Sequence, residues 1–235
     1  MESVGDSIKA ENGNWSFDGE VANNFEEHIR KSVPFYDKGH ELIIQLSDFF
    51  LKDSSLCYEL GSSTGLLSYR LSEHLKNQNV NIVGIDSILN MTNFAKSKYK
   101  NDNLEFINEN VFEFDYKNAD MFISYYLIQF IRPKKRQELL NNIYKNLNWG
   151  GAFICFEKVR ACDARFQDIT TNLYNEFKIK QGFTSEEILS KSRSLKGVLE
   201  PFSTQGNKDM FVRAGFKDII SIFKYISFEG FLCIK

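Results

Sequence analysis

Leu56-Cys57-Tyr58-Glu59-Leu60-Gly61-Ser62-Ser63-Thr64-Gly65 is the stretch from which the rest of the chain can be read. Its five mostly apolar residues have the length of a short buried strand, and the small residues after them read as a turn. Leu67, Leu71 and Leu75 then mark one face of a helix. Strand, glycine turn and helix open a βαβ unit, and the downstream sequence repeats the rhythm. Val80 to Asp86 reads as a second strand, Met91 to Tyr99 as a helix, Leu104 to Ile107 as a third strand and Met121 to Ile128 as a fourth. A helix opening on Pro133, a favoured first helical position, carries Leu139, Leu140, Ile143, Tyr144 and Leu147. It is expected to end at Gly150-Gly151, with Ala152 to Phe156 as a fifth strand. This alternation predicts a parallel sheet with helices on both faces.

Upstream, residues 1–16 are polar and without period, which predicts a mobile tail. A helix is expected over Val21 to Lys31, stopping near Pro34. A second carries Leu42, Ile43, Leu46, Phe49 and Phe50 on one face. Downstream, residues from about 160 to 200 read as a helical insertion, and Thr184-Ser185-Glu186-Glu187 has the form of a capping box. A helix around Asp209 to Ala214 and two β-rich runs, Ile219 to Ile226 and Phe228 to Ile234, close the chain. One α/β domain over 17–235 is the expectation.

The chain has 235 residues, 43% of them hydrophobic, and a net charge of -2 from 29 basic and 31 acidic side chains. That length supports a sizeable core, and the apolar fraction excludes a disordered or collagen-like chain. Near-neutral charge argues against a direct nucleic-acid binder. The absence of any apolar run of about 18 residues excludes a membrane span. The N-terminus lacks a signal-peptide pattern, and Cys57, Cys155, Cys162 and Cys233 form neither a CxxC pair nor a disulfide framework. Reduced cysteines in a cytoplasmic protein are expected. His28, His40 and His74 make no ligand motif, so no metal site is expected.

In an open parallel sheet, ligands bind beyond the carboxyl ends of the strands. Four such ends carry suggestive residues. Gly61, Ser62 and Ser63 would let backbone pass close to a ligand, with a helix N-terminus behind them, although many α/β turns need glycine for steric reasons alone. Asp86 could accept hydrogen bonds from both hydroxyls of a ribose, or cap the next helix. Asn110 and Val111 suit the edge and face of an adenine ring, while Asn110 alone is also an ordinary turn residue. Ser124-Tyr125-Tyr126 ends the fourth strand, where side chains could face a substrate.

Taken together, the glycine turn, the acid at 86, Pro133, Gly150-Gly151 and the closing strand pair resemble a class I S-adenosylmethionine-dependent methyltransferase. Serine at 63, where that family usually has glycine, points to a narrower resemblance, the carboxy-S-adenosylmethionine synthases. Its more specific pieces are Ser32-Val33-Pro34-Phe35-Tyr36, Glu59-Leu60-Gly61-Ser62-Ser63, Gln129-Phe130-Ile131-Arg132-Pro133, Arg136-Gln137-Glu138-Leu139-Leu140, Ile143-Tyr144-Lys145-Asn146-Leu147 and Arg193-Ser194.

The resemblance implies a Rossmann-like fold, a mostly parallel seven-stranded sheet with helices on both faces and an antiparallel C-terminal strand. It also implies a homodimer that converts S-adenosylmethionine and prephenate into carboxy-S-adenosylmethionine and phenylpyruvate. The family's proposed route deprotonates the sulfonium methyl to an ylide, which captures the carbon dioxide lost by prephenate. A second enzyme then uses the product to modify the wobble uridine of certain tRNAs. By the same resemblance Tyr36, Gly61, Ser62, Ser63, Asp86, Ser87, Asn110, Val111 and Tyr125 fall at cofactor positions. Arg193 falls where a cation meets the new carboxylate, a task for which a planar guanidinium is suited. The departures are Asn110 for a common Asp, Ser87 for Asn, Lys31 for Arg, and Tyr125 for Asn. The last would add bulk and remove an amide at the reacting end of the cofactor.

Overall fold

The computed structural model describes residues 2–5, 9–15 and 21–235. Two short strands, β1 (Glu2–Ser3) and β2 (Lys9–Ala10), pair antiparallel. They precede α1 (Val21–Ser32), α2 (Tyr36–Phe50), β3 (Leu56–Leu60), α3 (Leu66–His74), β4 (Asn81–Asp86), α4 (Leu89–Lys98), β5 (Leu104–Asn108) and β6 (Ala119–Tyr125). Then follow α5 (Pro133–Asn146), β7 (Leu147–Lys158), α6 (Ala164–Lys180), α7 (Ser185–Ser194), α8 (Thr204–Ala214), β8 (Asp218–Tyr225) and β9 (Phe228–Ile234). Seven strands form one sheet in the order β5-β4-β3-β6-β7-β9-β8. Strands β3 to β7 pair parallel, and β9 runs antiparallel to both its neighbours.

Both faces of this sheet are covered, so its central strands are apolar on both sides. On β6 and β7, Phe122, Phe153 and Cys155 join α5 and α8 through Leu139, Leu140, Ile143 and Phe211. The intervening Met121, Ile123, Ile154 and Phe156 face α2 and α3 through Ile43, Leu67 and Leu71. Cys57, Cys155 and Cys233 are buried free thiols in this core, while Cys162 is exposed. No helix among the described residues is long and apolar enough to cross a membrane.

One expectation is corrected. Helix α5 ends at Asn146 instead of Gly150, because Leu147 turns into the core and pairs opposite Ala119 across a bulge in β6. Residues 1–16, expected as a mobile tail, lie partly outside the described residues; of those described, Val4, Gly5 and Trp15 are buried while Ser3 and residues 11–14 are exposed. Val4 and Trp15 are buried against Phe130, Leu195 and Val198. Two single apolar side chains anchor this segment, which is too few to create a period. The insertion forms two helices, α6 and α7, and Thr184 with Glu187 makes the reciprocal capping box at the start of α7.

Two core carboxyls carry a pH consequence. Burial pushes Glu59 and Glu157 up from an ordinary 4.5 to about 8, although hydrogen bonds from Ser68 and from the Ile128 N–H oppose the shift. The folded chain therefore holds these protons to higher pH than the unfolded chain does. Their stabilisation is complete below the ordinary carboxyl pKa and is lost as pH rises toward 8. Glu157→Gln is expected to make the decline in Tm between pH 5 and 8 shallower than in the parent. Identical slopes in calorimetric scans would refute the assignment.

Candidate active site

Because β3 to β6 run parallel, their carboxyl ends open on one edge of the sheet, where the strand order reverses between β3 and β6. After β3 the chain turns over the end of β4: the Gly61 and Ser62 N–H groups both donate to the Ile85 carbonyl, at 2.8 and 3.0 Å. Gly61, Ser63 and Gly65 all have positive φ, of 70°, 52° and 81°. That conformation suits glycine, and at 63 a short serine is held in it by one strong contact. The Ser63 N–H donates to Asp86 Oδ2 at 2.8 Å. A Cβ at Gly61 would crowd Leu127, so the backbone there stays bare toward the open edge.

Asp86 ends β4 and is buried, which raises its pKa, while hydrogen bonds from the Ile88 and Ser63 N–H groups oppose the rise. Its Oδ1 accepts from Ile88 at 2.8 Å. The helix-cap alternative is not realised, since α4 is capped at Ile88 without a side-chain bond. Asp86 instead ties the glycine turn to the loop after β4, and each carboxylate oxygen retains a lone pair for a ligand hydroxyl. At Asn110 the turn reading is realised: its Oδ1 accepts from the Phe112 N–H at 3.0 Å. The side chain stays exposed beside Val111, leaving its amide N–H groups available.

A cavity of about 1380 Å³ spans this edge, larger than the roughly 300–1,000 Å³ of most single-ligand pockets. All nine expected cofactor residues line it: Tyr36, Gly61, Ser62, Ser63, Asp86, Ser87, Asn110, Val111 and Tyr125. Helices α6 and α7 supply much of the remaining wall. The bare turn, the acid and the Asn110-Val111 pair thus lie along one continuous surface. This arrangement fits a nucleoside with a charged amino-acid tail, the shape of S-adenosylmethionine.

Tyr125 does not stand alone in the cavity. Its ring packs edge-on against Tyr36 and His40, at centroid distances of 5.1 and 4.8 Å, and its hydroxyl donates to the Tyr36 carbonyl at 2.6 Å. The added bulk is accommodated because Gly39 has no side chain: a Cβ there would overlap the Tyr125 hydroxyl. Burial holds the neighbouring His40 at a pKa of about 3, a neutral ring inside this aromatic group.

Arg193 is the one expected site residue that the structure does not bring in. It is exposed on α7 and absent from the cavity wall, and its carbonyl accepts from the Gly13 N–H at 2.9 Å. Tyr126, read in sequence at a strand end that could face a substrate, lines the cavity, whereas sequence reasoning missed Gln129, Lys158, Tyr174 and Lys178, which line it too. Lys158 had a signal, being the second of two charged residues that follow the apolar run of β7. Lys178 had none, since only the fold of α6 across the sheet edge brings it there.

A family model described as a methyltransferase domain matches residues 58–151. The carboxy-S-adenosyl-L-methionine synthase of Staphylococcus epidermidis is 40% identical over 222 residues, 94% of this chain and 97% of that protein. The protein of the same name from Campylobacter jejuni is 40% identical over 223 residues, 94% of each chain. Human N-acetylserotonin methyltransferase in complex with S-adenosylmethionine shares the fold at a TM-score of 0.58 and 17% identity, over 94% of this chain and 60% of that one. With near-complete coverage at this identity, the chain belongs to the carboxy-S-adenosyl-L-methionine synthase family, on a class I methyltransferase fold.

Proposed function

We propose that this protein converts S-adenosylmethionine and prephenate into carboxy-S-adenosylmethionine, with release of phenylpyruvate and water. The observation that carries the reading is the single large cavity in which all nine cofactor positions lie together, with room beside them for a second small molecule. The cofactor supplies a sulfonium whose methyl protons are acidified by the positive sulfur. The chain's own residues hold the adenosine along Gly61 to Ser63, Asp86, Asn110 and Val111, and they enclose the reacting end with Tyr36, Tyr125 and Tyr126. The carboxylated product serves tRNA wobble modification as a diffusible cytoplasmic metabolite, which agrees with the absence of a basic excess in the chain. Arg193, exposed on α7, is assigned to the product carboxylate in the cavity of a second copy of the chain, within a homodimer.

The test is incubation of purified protein with S-adenosylmethionine, with and without prephenate, and mass spectrometry of the small molecules. A prephenate-dependent species heavier than the cofactor by one carbon dioxide is expected. Accumulation of S-adenosylhomocysteine with some acceptor, and no heavier species, would instead identify a methyltransferase. For Arg193, Arg193→Leu is expected to weaken binding of the carboxylated product at least tenfold more than binding of S-adenosylmethionine. Equal losses would remove the assigned role.

A further inference from the structure

Lys158 is the last residue of β7, and its N–H donates to Gln129 Oε1 at 2.8 Å, which fixes the strand end. Lys178 lies on α6 four residues after Tyr174, so the two share one helix face. Both ammonium groups sit over the Tyr174 ring, at 4.3 and 4.6 Å from its centroid. The ring is itself fixed, because the Tyr174 hydroxyl donates to the Ser32 carbonyl at 2.8 Å. Lys158, Lys178, Tyr174 and Arg160 all line the cavity that contains the cofactor positions.

Among the described residues no acid offsets this gathering of positive charge. Burial pushes Lys158 down to about 8, and the charges of Lys178 and Arg160 push the same way; burial alone takes Lys178 to about 8. Among the described residues neither lysine has a carboxylate partner. An aromatic face returns to a cation only part of what two desolvated like charges lose. An anion entering the cavity would restore the balance. Attraction there is stronger than in water because the local dielectric is low.

We propose that Lys158 and Lys178, gathered on the Tyr174 ring, bind the carboxylate groups of the second substrate, an organic dicarboxylate, inside the cofactor cavity. This rests on the reading that the protein has a carboxylate-bearing second substrate. Two mobile point-charge donors suit two carboxylates that must enter and leave.

Prephenate binding to protein loaded with S-adenosylhomocysteine, which lacks the reacting methyl, tests the site without turnover. By calorimetry, Lys158→Gln and Lys178→Gln are each expected to weaken prephenate at least tenfold and to change the affinity for S-adenosylhomocysteine less than twofold. Lys158→Met, which removes an unpaired half-buried charge, is expected to raise Tm by about 2 °C or more, whereas a lysine kept for structure would lower it. Prephenate affinities within twofold of the parent would overturn the proposal. If the parent forms no carboxylated product and binds no prephenate, the functional reading fails separately. The lysine site is then judged with malonate in reductive methylation read by peptide mass spectrometry. Slower labelling of Lys158 and Lys178 with malonate than with chloride at equal ionic strength supports an anion site, and unchanged labelling ends it.

Discussion

Asp86→Ala is expected to weaken S-adenosylmethionine binding by about 100-fold or more, with the protein still folded. The carboxylate does two things that alanine cannot. In the proposed function it accepts hydrogen bonds from the ribose hydroxyls, each worth roughly 1.5–3 kcal/mol when the acceptor is charged. It also holds the Ser63 N–H at 2.8 Å and so keeps the turn at a φ of 52° for residue 63. Loss of about 3 kcal/mol corresponds to somewhat more than 100-fold in affinity. Asp86→Asn keeps the shape and one acceptor oxygen, so a loss of about tenfold is expected. Calorimetric titration with circular dichroism on each variant is the measurement, and an affinity within threefold of the parent for Asp86→Ala would exclude the ribose role.

The second large effect couples Gly39 to Tyr125. A glycine inside a helix ordinarily gains about 0.5–1 kcal/mol on replacement by alanine. Here the added Cβ would overlap the Tyr125 hydroxyl, so Gly39→Ala is expected to destabilise by about 1–3 kcal/mol through overpacking. Tyr125→Asn alone empties a buried ring site among Tyr36, His40, Tyr126 and Phe156. A loss of about 3–5 kcal/mol is expected, as for other buried aromatic truncations. The double variant should lose less than the sum, with a coupling of about 1–3 kcal/mol, because asparagine clears the space that alanine needs. Denaturant titration of the four proteins completes the cycle. A rise in stability for Gly39→Ala would show that residues 39 and 125 are not in conflict.

This pair changes what the Tyr125 substitution means. Read in sequence, a tyrosine at that position threatened the reacting end of the cofactor. In the folded chain its hydroxyl is spent on the Tyr36 carbonyl and its ring on an aromatic group. The substitution therefore positions Tyr36, and the cavity remains open beside it. No spacing rule connects 39 to 125, since the two meet only when α2 packs across the end of β6.

The sequence by itself determined the alternation of strands and helices, the two-sided burial of the central strands, and the polar residues at the ends of β3 to β5. These properties are local: period, glycine placement and the side chain that ends an apolar run act within a few residues of one another. Gly61, Ser63, Asp86 and Asn110 were legible because parallel strands bring their carboxyl ends to one edge whatever else the chain does. Only the tertiary structure decided the packing of Val4 and Trp15, the accommodation of Tyr125, the absence of Arg193 from the cavity wall, and the meeting of Lys158 with Lys178 on Tyr174. Each depends on how helices lie against the sheet edge. That is set by side-chain packing between residues distant in sequence, which no periodicity in one segment can encode.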